Sequence, residues 1–166
     1  MLYLGIDLGT SSVKLSVWEA ESGKSLIKVQ YPDEEASILS TQPGWAEQSP
    51  DIWWEYICKA MQRAKSSGLV KTEQIKGIGI SYQMHGLVLV DNMGACIGNS
   101  IIWCDSRAVG EGQQILKSLG KDYCFEHLLN TPGNFTAAKL AWIQKHQPAT
   151  MQRIKWVMLP GDYISF

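Results

Sequence analysis

The residues best suited to chemistry lie near the start of the chain, in Gly5-Ile6-Asp7-Leu8-Gly9-Thr10-Ser11-Ser12-Val13-Lys14. An acid closing an apolar strand, then Gly-Thr-Ser-Ser, then a second strand, makes a tight hairpin rich in small donors. Gly9 lets the backbone come close to a ligand. Exposed amides and the hydroxyls of Thr10, Ser11 and Ser12 can hydrogen-bond phosphate oxygens. Asp7 is placed to hold a hydrated Mg²⁺, an ion that takes one or two carboxylates alongside phosphate oxygens. The stretch is neither a Walker A loop nor a dinucleotide fingerprint, because no helix follows and the glycines are wrongly spaced. The alternative is a plain hairpin turn with a capping Asp.

Two further constellations follow. Gln83-Met84-His85-Gly86 lies between two strand-like segments, where polar side chains at a strand end reach a pocket. Gln83 and His85 offer the donors and acceptors that sugar hydroxyls need, although a lone His is more often structural. In Trp103-Cys104-Asp105-Ser106-Arg107 the indole could stack on a sugar face while Asp105 and Arg107 clamp hydroxyls. The acid and base could equally pair with each other. Trp53 and Trp54 read as core residues rather than a ligand platform, and Pro132-Gly133-Asn134-Phe135-Thr136 as a helix entrance, with a loop beside a pocket as the alternative.

The elements that must position these residues are legible from periodicity. Leu2 to Leu8, Val13 to Val17 and Leu26 to Tyr31 alternate apolar and polar between Gly/Ser turns, the pattern of an antiparallel meander. Residues 32–48 read as an irregular polar connection. Ser49-Pro50 announces a helix carrying Trp53, Trp54, Ile57, Met61 and Ala64, stopped by Gly68. Strands are expected from Ile75, at Leu87–Val90, at Ile101–Trp103 and at Trp156–Leu159. Helices are expected up to about Gly120, from a Thr136 cap to His146, and after Pro160. Strands first, then alternating helices and strands, predict an α/β domain with a mixed sheet.

Composition excludes several classes. Fifteen basic against sixteen acidic side chains give a net charge of −1, which argues against a nucleic-acid platform or an anionic-membrane binder. No apolar run approaches the ~20 residues a membrane span needs. Asp7 and the lack of a basic start argue against a secretory leader. Cys58, Cys96, Cys104 and Cys124 show neither a C-x-x-C pair nor zinc spacing, so four reduced thiols in a cytoplasmic protein are expected. The glycosylation triplet Asn134-Phe135-Thr136 stands alone in suggesting otherwise.

Taken in order, GIDLGTSSVK at 5–14, GWAEQSPDIWW at 44–54, GIGISYQMHG at 77–86, IIWCDSR at 101–107, PGNFTAAKLAW at 132–142 and LPGDY at 159–163 resemble the N-terminal part of the FGGY carbohydrate kinases. Within the family the similarity is greatest to the branch acting on xylulose. The resemblance implies a ribonuclease H-like (actin-like ATPase) fold: a mixed sheet, its first three strands antiparallel, with helices packed on it. It implies that residues 1–166 are an incomplete N-terminal domain, without the C-terminal domain, and inactive alone. The implied reaction is ATP- and Mg²⁺-dependent phosphorylation of a ketopentose, D-xylulose to its 5-phosphate. The alternatives are a kinase for ribulose, fuculose or gluconate, or a non-catalytic nucleotide-binding module. By resemblance Asp7 serves metal and phosphate, and Gly9, Thr10, Ser11, Ser12 and Lys14 bind the nucleotide. Gln83, Met84, His85, Trp103, Asp105 and Arg107 surround the sugar. Cys104 departs from the Asn that many relatives carry, and the proton-accepting Asp falls beyond Phe166. Sugar and ATP are the implied partners, with a homodimer possible.

Overall fold

The computed structural model describes all residues, Met1–Phe166. They fall into two units: Met1–Ser37 with Asp51–Gln83 and Ser165, and Ile38–Pro50 with Met84–Ile164 and Phe166.

The first unit is built on a four-stranded sheet. β1 (Leu2–Leu8), β2 (Val13–Glu19) and β3 (Lys24–Tyr31) form the expected meander. β5 (Ile75–Tyr82) then pairs parallel to β1, giving the order β3-β2-β1-β5 and a mixed sheet. The intervening β4 (Glu47–Gln48) belongs to the second unit. Leu2, Leu4, Ile6 and Leu8 alternate with exposed residues, and Val13, Leu15 and Val17 do the same on β2, so one face of the sheet is core. α1 (Pro50–Ser66) buries Trp53, Ile57, Ala60 and Ala64 at three- and four-residue steps while Trp54 stays exposed. The other face of the sheet is open. Gly5, Asp7, Lys14, Ser16, Gly79 and Ser81 pave a cleft of roughly 690 Å³ there.

The second unit has two small antiparallel pairs. β4 (Glu47–Gln48) pairs with β7 (Ser100–Ile101), and β6 (Val88–Val90) with β8 (Trp156–Met158). Its core gathers Leu87, Leu89, Ile97, Ile101, Ala108, Ala138, Trp142 and Ile143. α2 (Val109–Leu119), α3 (Lys121–Tyr123), α4 (Thr136–His146), α5 (Pro148–Met151) and α6 (Pro160–Ser165) complete it, with a π-helical stretch at Cys124–Leu128. On α2, Gly112 lies so close to the 132–134 turn that a Cβ there would run into the Gly133 backbone. That approach fixes where the turn sits.

Several details differ from the sequence reading, the first being Trp54, expected in the core but exposed because it lies off the buried stripe of α1. The connection at 32–48 contains a strand after all, because Glu47 and Gln48 pair with residues some fifty positions away, Ile101 and Ser100, and local periodicity carries no sign of such partners. The helical residues at 121–128 have no counterpart among the expected elements. Thr136 does not cap α4: Phe135 holds the extended N-cap position, and the Thr136 hydroxyl donates instead to the Gly86 carbonyl at 3.4 Å.

Candidate functional site

The first unit carries the loop rich in small donors. β1 ends at Leu8, the chain turns over Gly9–Ser12, and the Gly9 amide donates to the Ser12 carbonyl at 3.1 Å. A Cβ on Gly9 would come within 3.0 Å of that same oxygen, so the turn is as tight as its Gly requires. Asp7 lies opposite Lys14 on β2 and Ser81 on β5, on the open face of the sheet. Its carboxylate is 3.9 Å from Lys14 Nζ, with both side chains more than half exposed. A pair this long and this wet holds neither partner firmly. A carboxylate held so lightly beside hydroxyl-bearing residues fits a hydrated Mg²⁺ that arrives with phosphate. A bare cation would need more ligands, and no cluster of three His, Cys, Asp or Glu side chains offers them.

Gln83 also belongs to this loop. Its amide donates to Leu8 O at 2.9 Å, extending the parallel ladder, and Thr10 Oγ1 donates to its Oε1 at 3.2 Å. Thus the strand pairing of β1 and β5 brings a residue of the Gln-Met-His motif onto the phosphate-type loop, 73 positions away in sequence.

The second unit holds the rest of the motif. Met84 and Trp103 are 58% and 43% exposed, large apolar surfaces open to a ligand. His85 is half-buried and has φ of +60°, a left-handed conformation that a non-Gly residue adopts only when its surroundings impose it. Its ring stacks on Phe135 with centroids 4.8 Å apart. Its carbonyl accepts from Lys139 Nζ at 2.7 Å, and the same ammonium donates to Asn134 O at 3.0 Å. Asn134 in turn donates from Nδ2 to the Trp103 carbonyl. Segments 84–86, 103 and 134–139 are therefore tied into one cluster.

Burial lowers the His85 pKa, and the Lys139 charge lowers it further, so its ring is neutral at pH 7. A neutral imidazole presents one donor and one acceptor, which suits an uncharged hydroxyl. Lys139 is itself fully buried, and desolvation brings its pKa down to about 8 against the pull of Asp105 and Cys104. At pH 7 it remains charged.

Asp105 and Arg107 lie in the same unit and spend their polar atoms on protein. Asp105 accepts from the Ala46 amide at 2.6 Å and from Arg107 Nε and a terminal nitrogen at 2.7–3.0 Å. Arg107 adds a 2.7 Å bond to Glu47, and its guanidinium lies 3.7 Å from the Trp45 ring centroid. Both side chains are 2% exposed or less. Of the two sequence readings, the geometry matches mutual pairing.

Sequence reasoning passes over Lys139 and prefers a helix entrance to a pocket loop for the turn holding Asn134 and Phe135. Lys139 carries a readable signal: it lies between Ala138 and Leu140, three and four residues before Trp142 and Ile143, on the apolar stripe of α4. A lysine on such a stripe needs a polar task. The stacking of Phe135 and the reach of Asn134 depend on where α2 places their turn, and no local pattern encodes that.

A model of the FGGY family of carbohydrate kinases, N-terminal domain, matches residues 2–166. The chain belongs to that family. It is 34% identical over 163 residues to the xylulose kinase of Staphylococcus epidermidis, covering 98% of this chain and 32% of that protein. A crystal structure of a xyloylose kinase from Brucella ovis superposes with a TM-score of 0.88 at 31% identity, over 99% of this chain and 34% of the other. The gluconate kinase of Lactobacillus acidophilus superposes with a TM-score of 0.85 at 20% identity, over 99% and 32%, and shows the shared fold alone. The chain thus spans about a third of the length of these relatives. The mixed sheet with its antiparallel meander is that of the family's actin-like N-terminal domain.

Proposed function

We propose that the intact protein carrying this chain phosphorylates a ketopentose at the expense of ATP, with D-xylulose as the preferred acceptor. The observation that carries this reading is the His85 cluster: an imidazole stacked on Phe135 in a hydrogen-bonded set of segments that also carries the exposed Met84 and Trp103, in a chain 34% identical to a xylulose kinase. A nucleotide switch of the same fold has no use for such a polar-and-apolar surface.

The residues divide the work. The Gly9–Ser12 turn, with its close backbone and the exposed Ser11, binds phosphate oxygens, Ser12 being buried and the Thr10 hydroxyl turned to Gln83, and Lys14 adds a positive charge next to Asp7. Asp7 would hold Mg²⁺, which supplies charge neutralisation on the phosphates. Gln83 fixes the loop through Thr10. His85 binds a sugar hydroxyl, Met84 and Trp103 cover the carbon face, and the Asp105–Arg107 pair holds the 103–107 loop in shape. Asp7 and the Gly9–Ser12 turn belong to one unit and the His85 cluster to the other, with the consecutive residues Gln83 and Met84 carrying the chain from one to the next. By resemblance the proton-accepting Asp is not among these residues, so the 166-residue chain alone is expected to turn over no sugar. The expected setting is the cytoplasm.

His85→Ala in the intact kinase raises the sugar KM by the worth of one hydrogen bond to a neutral partner, about 0.5–1.5 kcal/mol or roughly 2- to 13-fold. The KM for ATP stays put. Because burial and the Lys139 charge hold the His85 pKa below its ordinary 6.5, acidification raises the parent's sugar KM, as the ring takes its proton, at a lower pH than an unshifted histidine would. Steady-state kinetics across a pH series check both statements. A variant with unchanged sugar KM and a sharply lowered melting temperature would make His85 structural instead.

A further inference from the structure

A charged lysine with no exposed surface is out of place in a helix whose buried neighbours are Ala138, Trp142 and Ile143. Methionine or leucine would fill the same volume without desolvating a charge. What the ammonium does instead is specific. Its two hydrogen bonds, at 2.7 Å and 3.0 Å, go to the carbonyls of His85 and Asn134, which lie 54 and 5 positions from it in sequence. Neither partner is a carboxylate. Each belongs to a segment of the sugar-side cluster.

The segment at 85–86 needs such holding. His85 sits at φ +60°, a state that costs a non-Gly residue energy and persists only where several contacts agree on it. Three contacts from the start of α4 do agree. Phe135 stacks on the imidazole, the Thr136 hydroxyl bonds the Gly86 carbonyl, and Lys139, one turn further on, bonds the His85 carbonyl. Only Lys139 acts on the backbone of the strained residue itself. On the other side, Gly86 has no room for a Cβ because Pro160 is packed against it, so the turn cannot relax in that direction. Lys139 Nζ, fully enclosed, is not itself in a position to meet a sugar.

We propose that Lys139 is a positioning residue for the sugar subsite: its buried ammonium bridges the His85 and Asn134 carbonyls and holds His85 left-handed, so that the imidazole is presented to the sugar. This rests on the reading of His85 as a sugar contact. Without the bridge, His85 is free to leave the left-handed state, and apparent sugar affinity falls by the fraction of molecules that keep the competent conformation.

The test is a double-mutant cycle in the intact kinase, comparing Lys139→Met, His85→Ala and the pair, with sugar KM, ATP KM and melting temperature read for each. The expected result is a sugar KM raised in Lys139→Met by no more than the roughly 2- to 13-fold of His85→Ala, with ATP KM unchanged. In the His85→Ala background the same substitution then has little further effect, because the side chain it presents is gone. Full additivity, with Lys139→Met costing as much without His85 as with it, overturns the proposal and leaves the sugar-contact role standing. A silent His85→Ala overturns both together. Should Lys139→Met fail to fold, Lys139→Gln, which keeps an N–H donor on a shorter arm, replaces it in the same cycle. Non-additivity with His85→Ala again supports the bridge, and full additivity again overturns it.

Discussion

Asp7→Ala lowers kcat for sugar phosphorylation a hundredfold or more in the intact kinase, while sugar binding stays near that of the parent. The expectation follows from placement. Asp7 lies near the end of β1 on the open face of the sheet, 3.9 Å from Lys14 and beside the Gly9–Ser12 turn. It belongs to a different unit from His85, Met84 and Trp103. In phosphoryl transfer the protein mainly positions groups and neutralises charge, so deleting a carboxylate placed to hold the metal falls on the chemical step. Its loose ion pair with Lys14 contributes little to folding, and the melting temperature should hardly move. Measuring kcat together with sugar affinity by calorimetry checks the split. A kcat near that of the parent removes Asp7 from the phosphate machinery.

Asp105→Ala produces the largest loss of stability, about 3–5 kcal/mol by analogy with other buried pairs broken from one side. The carboxylate has no exposed surface, and the Arg107 side chain is 2% exposed. Removing the acid leaves the Ala46 amide without the acceptor it meets at 2.6 Å, and leaves a guanidinium with Glu47 as its remaining acid. Trp45, stacked under that guanidinium and edge-on to Trp142, connects the damage to the core of the second unit. Urea unfolding of parent and variant gives the number. A midpoint that stays put while sugar affinity collapses would show that Asp105 clamps hydroxyls after all.

That pair marks one limit of what the sequence discloses. Two residues apart, an acid and a base are equally consistent with a ligand clamp and with each other, and only the Ala46 amide and the Trp45 ring, some sixty positions upstream, decide between them. Where the decisive partners are local, the sequence is explicit. The meander strands appear at Leu2–Leu8, Val13–Glu19 and Lys24–Tyr31 because alternation and Gly/Ser turns encode them within a few residues. The Ser49-Pro50 start of α1 is equally legible. The two-residue β4 and the Thr10–Gln83 bond are not, since both need strands distant in sequence to meet first. The left-handed His85 lies on the same side of that divide: nothing at positions 83–87 announces it, and the lysine that bonds its carbonyl is 54 residues away.

Sugar-dependent ATP turnover by the intact protein, with Mg²⁺ and a panel of D-xylulose, ribulose, gluconate and glycerol, tests the kinase assignment most directly. Discrimination among the sugars is read as the ratio of their kcat/KM values. The expected result is ADP release that requires a sugar and is most efficient with D-xylulose. ADP release at the same rate with no sugar present would contradict it.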